Sequence, residues 1–479
     1  MTASPNLPDT DARPSRTPAA REPSSRESAA REPAARSLTF PPGFRFGAAT
    51  AAHQVEGGTT ANQWTRWEVT GRPDGRPGIA GRRCGAASDH WRLFESDLDL
   101  MSDLGLTVYR FSVEWSRIEP VQGQIDTAAL ERYRHWCRLL REAGIEPMVT
   151  LHHFTEPVWF AEAGGFENPD LIRFWVRFVE LVAAALGDLV DLWVTVNEPT
   201  GYALQGWWFG NWPPGATDFP RAVAVVQRML TAHARAAEVI RRVVTRDADG
   251  DGMPHRIGLA HHVVPFRPRR AASPADRIAA RLMHDAYNVS VLRALQTGVF
   301  RIRLPGAAGC RVADQRWRNT VDWLGVNAYY PLLVGVTASG PRYVDAGFSG
   351  RGAVNDLGWD LDPSVLGSAV RFAARYGLPL MVTEHGTCDA DRPDDRRRTF
   401  LAGSLAGLRD AVADGVPVEA YLHWSLLDNF EWAEGFGPRF GLFRVDYPTG
   451  RRDWTTTARL YQQVIEAHRA GAGYRPVQP

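Results

Sequence analysis

The stretch from Leu192 to Pro199, LWVTVNEP, is a short apolar, β-branched run that stops abruptly at Asn197, Glu198 and a proline. Such a run reads as a buried strand. Simple alternation points Thr195 and Asn197 to one side, and Pro199 ends the strand just after Glu198, leaving that carboxyl at the strand's carboxyl end. The stretch from Pro379 to Gly386, PLMVTEHG, repeats the design and ends in Thr383, Glu384 and a glycine. In an α/β barrel, the carboxyl ends of the strands are where catalysis takes place. One strand-end glutamate is compatible with a salt-bridge partner or a helix cap. Two in matching contexts ask for chemistry that uses a pair of carboxylates.

The rest of the chain supplies the strands such a barrel needs. Phe44 to Thr50, FRFGAAT, reads as the first strand and leads into AAHQVEGG, which sets His53 and Gln54 at a strand exit. A helix is expected over Asp89 to Leu104, then a second strand over Leu106 to Trp115. Within it, Arg110 points the same way as Ser112, and a guanidinium buried inside a barrel needs an anion, for which a catalytic carboxylate is the obvious candidate. A helix from Thr127 to Ala143 ends at Gly144, a C-cap position. The third strand, Glu146 to His153, carries adjacent histidines; His152 and His153 face opposite ways, so one faces the pocket and the two are poor joint metal ligands. After a helix over Asp170 to Leu186 comes the strand bearing Glu198, then the Trp-rich YALQGWWFGNWPPG, expected as an irregular loop. Further strands fall at Arg256 to Pro265, Val321 to Tyr329, the Glu384 run, and Val418 to Trp424. Eight strands separated mostly by helix-length segments predict a single (β/α)8 TIM barrel with extended active-site loops. An open doubly wound sheet is the alternative, but no Gly-rich phosphate fingerprint follows the first strand.

Composition narrows the setting. The formal net charge is +1, every one of the 55 basic residues is arginine, and 44% of residues are hydrophobic, so a sizeable core is available. Nothing here suggests nucleic acid, and no apolar run approaches the ~20 residues of a membrane span. Met1 to about Arg36 is rich in Pro, Ala, Arg and Glu and nearly repeats itself in TPAAREPSSRESAAREPAAR. Residues 1–37 are therefore expected to be a disordered tail and 38–479 the folded domain. The acidic residues of the tail argue against a transit peptide and the lack of an apolar h-region against secretion. Cys84, Cys137, Cys310 and Cys388 have no CxxC spacing, which fits free thiols in a reducing cytoplasm. Cys388 lies close after Glu384 and reads as a packed thiol, with a catalytic role as the sharper alternative. DADGDG from Asp247 imitates the start of a calcium loop, but Gly258 stands where a bidentate glutamate is needed, so a turn is expected. No metal site and no cofactor are implied.

The motifs FRFGAATAAHQVEG, YRFSVEWSRIEP, LHHF, TVNEP, GVNAYYP, VTEHG and WSLLDNFEWAEGF, in this order from about Leu38 to about His468, resemble the motif series of the family 1 β-glycosidases. The resemblance implies a retaining hydrolase of β-linked, non-phosphorylated glycosides, glucosidase-like, with a small-molecule substrate as its partner. By position, Glu198 resembles the general acid/base and Glu384 the nucleophile, with Arg110 and Tyr329 holding Glu384 anionic. A retaining double displacement fits, because it needs one carboxylate to attack the anomeric carbon and one carboxylic acid to protonate the leaving oxygen. Gln54, His153, Asn197 and Glu431 look like the hydroxyl binders, Trp424 like the stacking floor, and Trp432 and Phe440 like the wall. Asn197 would hold the 2-hydroxyl.

The sequence departs from the family in three places. His385 replaces the usual asparagine after the nucleophile, and a cationic imidazole there would depress the nucleophile's pKa. Phe154, Thr155, Glu156 and Pro157 replace the usual Trp and Asp-Leu-Pro, and Ala328 stands where tyrosine is common. Other readings stay open on the sequence alone. The same two glutamates would serve a transglycosidase, and a non-catalytic carbohydrate-binding relative is a further possibility, although both carboxylates are present. A phospho-glycosidase is disfavoured by Glu431 and the absence of lysine. A metal hydrolase built on His152, His153, His261 and His262 lacks the spacing that would complete a site. Oligomeric state is not legible, and the leaving group depends on loops such as Gln205 to Gly215 and Gly335 to Asp356.

Overall fold

Short runs rich in valine, leucine and aromatic residues form a closed parallel barrel. A computed structural model describes residues 37–73, 75, 79, 82–303, 309–336, 344–349 and 352–474; the expected tail lies outside the described residues except for Ser37. Among them, eight strands close in sequence order: β1 (Arg45–Ala49), β2 (Val108–Ser112), β3 (Glu146–His152), β4 (Leu192–Asn197), β5 (Arg256–His262), β6 (Trp323–Asn327), β7 (Leu380–His385) and β8 (Val418–Trp424), with β8 pairing back onto β1. The outer helices that alternate with them are α1 (His90–Leu104), α2 (Thr127–Glu142), α3 (Ile172–Leu186), α4 (Phe219–Val243), α5 (Ser290–Thr297), α6 (Ser364–Ala373), α7 (Asp395–Ala413) and α8 (Thr456–Arg469). Each expected strand is found. The second ends at Ser112 rather than Trp115, because Glu114 turns the chain and accepts a hydrogen bond from Ser116 N to start a helical turn at Trp115–Ile118.

Two layers fill the interior. The lower one is apolar and includes Val108, Met148, Leu192, Val194, Trp323 and Met381. Trp323 fits because Gly258 faces it from β5, where a Cβ would lie 2.4 Å from the indole ring. A larger apolar shell packs the outer strand faces against the helices. The upper layer, toward the carboxyl ends, is polar.

The strand faces correct one expectation. Thr195 and Asn197 do not share a side. Thr195 Oγ1 lies 2.6 Å from His233 Nδ1 on the outer helix α4, whereas Asn197 Oδ1 accepts from Arg110 Nη2 inside the barrel at 2.8 Å. The pairing of β4 with β5 shifts register between Val194 and Asn197, and such a bulge reverses the alternation. β7 shifts register in the same way after Val382 against both its neighbours. The two bulges bring Asn197 and Glu384 inward.

The Trp-rich segment after β4 is likewise not an irregular loop throughout, since Pro199–Trp207 is a helix. Glu198 takes up a left-handed backbone (φ 44°) that turns the chain straight from strand into helix, with Pro199 in the first turn. A proline's fixed φ suits that place. Asp247 accepts from Gly250 N and Gly252 N, so DADGDG is a turn held by its own backbone.

Candidate active site

The polar layer is a single network centred on Arg110. The guanidinium is fully buried. It gives Nε to Thr150 Oγ1 (2.9 Å), Nη1 to Glu384 Oε1 (2.7 Å) and to the Thr383 carbonyl (3.2 Å), and Nη2 to Asn197 Oδ1. Tyr329 donates its hydroxyl to the other Glu384 oxygen at 2.6 Å. Glu198 is held by a neutral group: Asn327 Nδ2 donates to Glu198 Oε1 at 2.7 Å and to Asn197 Oδ1 at 3.1 Å, while Asn327 Oδ1 accepts from Thr383 Oγ1 at 2.6 Å.

These partners divide the two carboxyls. Burial pushes Glu198 up to about 7, with Asn327 and Arg110 opposing. Burial also pushes Glu384 up to about 7, with Arg110 pulling it down, Glu198 pushing it up and Tyr329 pulling it down. The two titrate as a coupled pair. The ion pair and the phenol act on Glu384, so the first proton to leave is the one on Glu384, and the second stays on Glu198 until near-neutral pH. His153 is kept neutral by burial and by Arg110, with Nε2 3.3 Å from Asn197 Nδ2 and 4.0 Å from Glu384 Oε1.

Above this network opens a cavity of about 610 Å³ lined by Glu198, Glu384, His153, Trp424, Glu431, Trp432 and Phe440. Trp424 and Trp432 both stack along His153, with ring centroids 5.7 and 6.2 Å away. Gln54, in the helical turn Ala52–Val55, sits behind Glu431 and gives Nε2 to Asn429 Oδ1 (2.9 Å) and Glu431 Oε2 (3.3 Å), leaving Oε1 buried without a partner. A buried unpaired acceptor is rare and calls for a donor. Burial, then Glu384, push Glu431 up to about 8. Among the described residues, three of the six non-glycine residues with positive φ, Phe154, Glu198 and Trp432, line this cavity. Backbone strain of this kind concentrates at functional sites.

All eleven residues singled out in the sequence thus meet in one place: eight are in contact with the cavity, and Arg110, Asn197 and Gln54 are directly behind it. Asn327 was missed, although Val-Asn occurs at both strand ends, in TVNEP and GVNAY, and could have marked it. The outer aromatic wall of Trp212, Tyr287, Tyr330 and Trp359 was also missed, because Trp212, Tyr330 and Trp359 come from loops with no periodicity to read and Tyr287 from a single π-helical turn, Asp285–Val289.

Three expectations resolve here. His385 is no cation beside Glu384. It points outward, stacked on Phe400 of α7 at 5.1 Å, with Nδ1 2.9 Å from Tyr421 OH, and burial pushes it down to about 3. Cys388 is a buried thiol pushed up to about 12 by burial, and it is absent from the cavity wall. The four histidines do not converge, since His152 packs among Phe166, Trp175 and Tyr202, away from His153.

Among the described residues three other trios converge, and one of them lies behind the site. His53, Glu68 and Cys84 bring donor atoms within 4.8 Å of one another. Asn62 argues against a metal there. Its Oδ1 caps Thr65 N, so Nδ2 faces His53 Nδ1 at 3.1 Å and leaves the ring proton on Nε2, 3.3 Å from Glu68 Oε1. A protonated nitrogen offers no lone pair. The trio supports the site from behind, with His53 stacked on Trp432 at 5.8 Å.

A parallel barrel with two glutamates at the carboxyl ends of β4 and β7, under an aromatic-walled cavity, defines a sugar-cleaving barrel enzyme. The family model for Glycosyl hydrolase family 1 matches residues 36–470. The chain belongs to glycosyl hydrolase family 1. It is 29% identical to β-glucosidase A of Acetivibrio thermocellus over 90% of this chain and 98% of that protein. To β-glucosidase A of Thermotoga maritima it is 30% identical, over 89% and 98%. The solved structure of a β-glycosidase from Pyrococcus horikoshii superposes with a TM-score of 0.78 at 33% identity, covering 90% of this chain and 96% of that one.

Proposed function

We propose that this glycosidase is a retaining, β-glucosidase-like hydrolase of terminal, non-reducing, unphosphorylated β-D-glycosides. The observation that carries the proposal is the unequal clamping of two carboxyls that share one cavity. Glu384, paired with Arg110 and Tyr329, supplies the anionic nucleophile that attacks the anomeric carbon. Glu198, beside a neutral amide, carries the proton to the leaving oxygen. Once Glu384 is esterified its charge is gone, Glu198 loses the neighbour that helped hold its proton, and it accepts a proton from the attacking water. Asn197, tied to Arg110 and Asn327, faces the sugar's 2-hydroxyl. Glu431, Gln54 and His153 take the remaining hydroxyls, over Trp424. The carboxyl groups of Glu431 and Glu434, both in the cavity wall, disfavour a phosphorylated sugar, since an ionised carboxylate repels the phosphate and a protonated one offers it no positive charge. The relatives named β-glucosidase support the choice of sugar.

The test is nitrophenol release from aryl β-glucoside, galactoside, fucoside, xyloside, mannoside and phosphorylated glucoside by wild type, Glu384→Ala and Glu198→Ala, with product anomers followed by NMR. Release led by the β-glucoside, a first-formed β-anomer and loss of release in Glu384→Ala are expected. A first-formed α-anomer would remove the double displacement. Release confined to the phosphorylated substrate would remove the substrate assignment.

A further inference from the structure

The segment leading into α5 is not regular α-helix. Asp285–Val289 forms a π-helical turn, an irregularity that collects at functional sites. Asn288, fully buried in that turn, clasps the chain just past β5: its Oδ1 accepts from Val264 N at 3.1 Å and its Nδ2 donates to the Val264 carbonyl at 2.7 Å. The turn brings Tyr287 into the wall of the catalytic cavity beside His262, the last residue of β5. The Tyr287 hydroxyl lies 3.1 Å from His262 Nδ1.

Both groups flank one oxygen of the acid/base. Asn327 occupies Glu198 Oε1, so Oε2 is the oxygen that carries the proton. It lies 3.9 Å from His262 Nδ1, too far for a hydrogen bond and a span that one bridging oxygen closes. Gly201 keeps the space open, since a Cβ there would lie 3.1 Å from Glu198 Oε2 and 3.6 Å from the Tyr287 hydroxyl. His262 is fixed and neutral. Its ring stands edge-on to Tyr329 and Tyr330, with centroids 5.8 and 5.5 Å away, and burial pushes it down to about 4, with Glu384 opposing. Because Tyr329 donates to Glu384, this packing sets the imidazole beside both carboxyls.

We propose that His262 and Tyr287 are positioning residues for the second half of the reaction, holding with Glu198 Oε2 the water that releases the sugar from Glu384. The water oxygen bonds to the anomeric carbon as the bond from that carbon to the Glu384 carboxyl breaks, its electron pair returning to Glu384 as carboxylate. One hydrogen of the water passes to Glu198 Oε2 as a proton. The other is held by the Tyr287–His262 pair, whose hydroxyl oxygen keeps a free lone pair whichever way the two share their hydrogen. The inference rests on the reading of the protein as a retaining β-glycosidase, and the experiment separates the two.

Full-length wild type, His262→Ala, His262→Asn and Tyr287→Phe are loaded on Glu384 with dinitrophenyl 2-deoxy-2-fluoro-β-glucoside. Mass spectrometry confirms the adduct, return of activity in buffer times its release by water, and a thermal melt checks each variant. Steady-state kinetics use the unfluorinated dinitrophenyl β-glucoside, whose leaving group needs no proton. His262→Ala slows release about tenfold, the worth of about one hydrogen bond, and lowers kcat and KM together, because loaded enzyme accumulates. Tyr287→Phe acts in the same direction, and it decides by the same readout should His262→Ala not fold. His262→Asn, whose amide reaches the place of Nδ1, restores most of the rate, which a merely structural role would not. Release at the wild-type rate in His262→Ala and Tyr287→Phe overturns the proposal. So does a fall in kcat/KM at normal release, which would assign the pair to the first step. An adduct in wild type keeps the retaining reading standing in either case; no adduct in wild type overturns that reading and the proposal with it.

Discussion

Glu384 is buried and Glu198 half-buried, and their different partners set the pH dependence. Activity needs Glu384 ionised and Glu198 protonated, so kcat/KM should be bell-shaped, rising as the pair loses its first proton and falling as Glu198 ionises near pH 7. Tyr329→Phe removes a hydrogen bond that lowers Glu384. Its acid limb should move to higher pH while the alkaline limb stays, as read from a kcat/KM profile. Glu198→Gln keeps the Asn327 contact but cannot transfer a proton, and kcat for a poor leaving group should fall by about 10²–10⁴, with a smaller loss for nitrophenyl glycosides that need little protonation. His385 is neutral and faces α7. His385→Asn should therefore leave the pH profile unchanged and lower stability by about 0.5–3 kcal/mol, seen as an earlier thermal melt.

At the scale of elements, the bulges in β4 and β7 determine which side chains reach the site. Without the shift between Val194 and Asn197, Asn197 would face outward on the side of Thr195. Thr195 binds His233, whose Nε2 lies 2.8 Å from Thr320 Oγ1, and it ties β4 to α4. Thr195→Val should cost about 1–3 kcal/mol by leaving a buried imidazole nitrogen unpaired, with kcat unchanged. A fall in kcat at unchanged stability would instead place Thr195 in the site. The helix at Pro199–Trp207 depends on the same geometry, since the left-handed Glu198 both ends the strand and aims the carboxyl.

Across the whole molecule, burial of carboxyls links stability to pH, because at these sites desolvation outweighs any neighbouring cation. Burial raises Glu56, Glu198 and Glu384 to about 7 and Glu156 and Glu431 to about 8. A carboxyl raised in the folded state contributes stability that is complete below its unfolded value of 4.5 and is lost as pH rises through the folded value. Asp394 works the other way. Against its burial, Arg397 and hydrogen bonds from Thr456 and Thr457 hold it at about 2, so its contribution is lost as pH falls from 3.8 toward that value. Melting temperature should thus peak near pH 4 to 5 and decline toward pH 8, and Glu156→Gln should flatten that decline. A melting temperature that climbs from pH 5 to pH 8 would contradict it.

The sequence by itself determined the eight strands and the two strand-end glutamates, because apolar β-branched runs with abrupt polar ends are local signals that the barrel only had to bring together. It also led to Arg110, since a buried cation on a strand demands an anion somewhere. It put Thr195 and Asn197 on one side and a cationic His385 beside Glu384, because one inserted residue in a pairing reverses every face beyond it and leaves no mark in a single strand. Tertiary structure alone decided that Asn327 links Glu198 to Asn197 and Thr383, that Phe154, Glu198 and Trp432 hold left-handed backbones around one cavity, and that Glu156 is buried. Each of these depends on which distant residues share a small volume, which spacing along the chain does not encode.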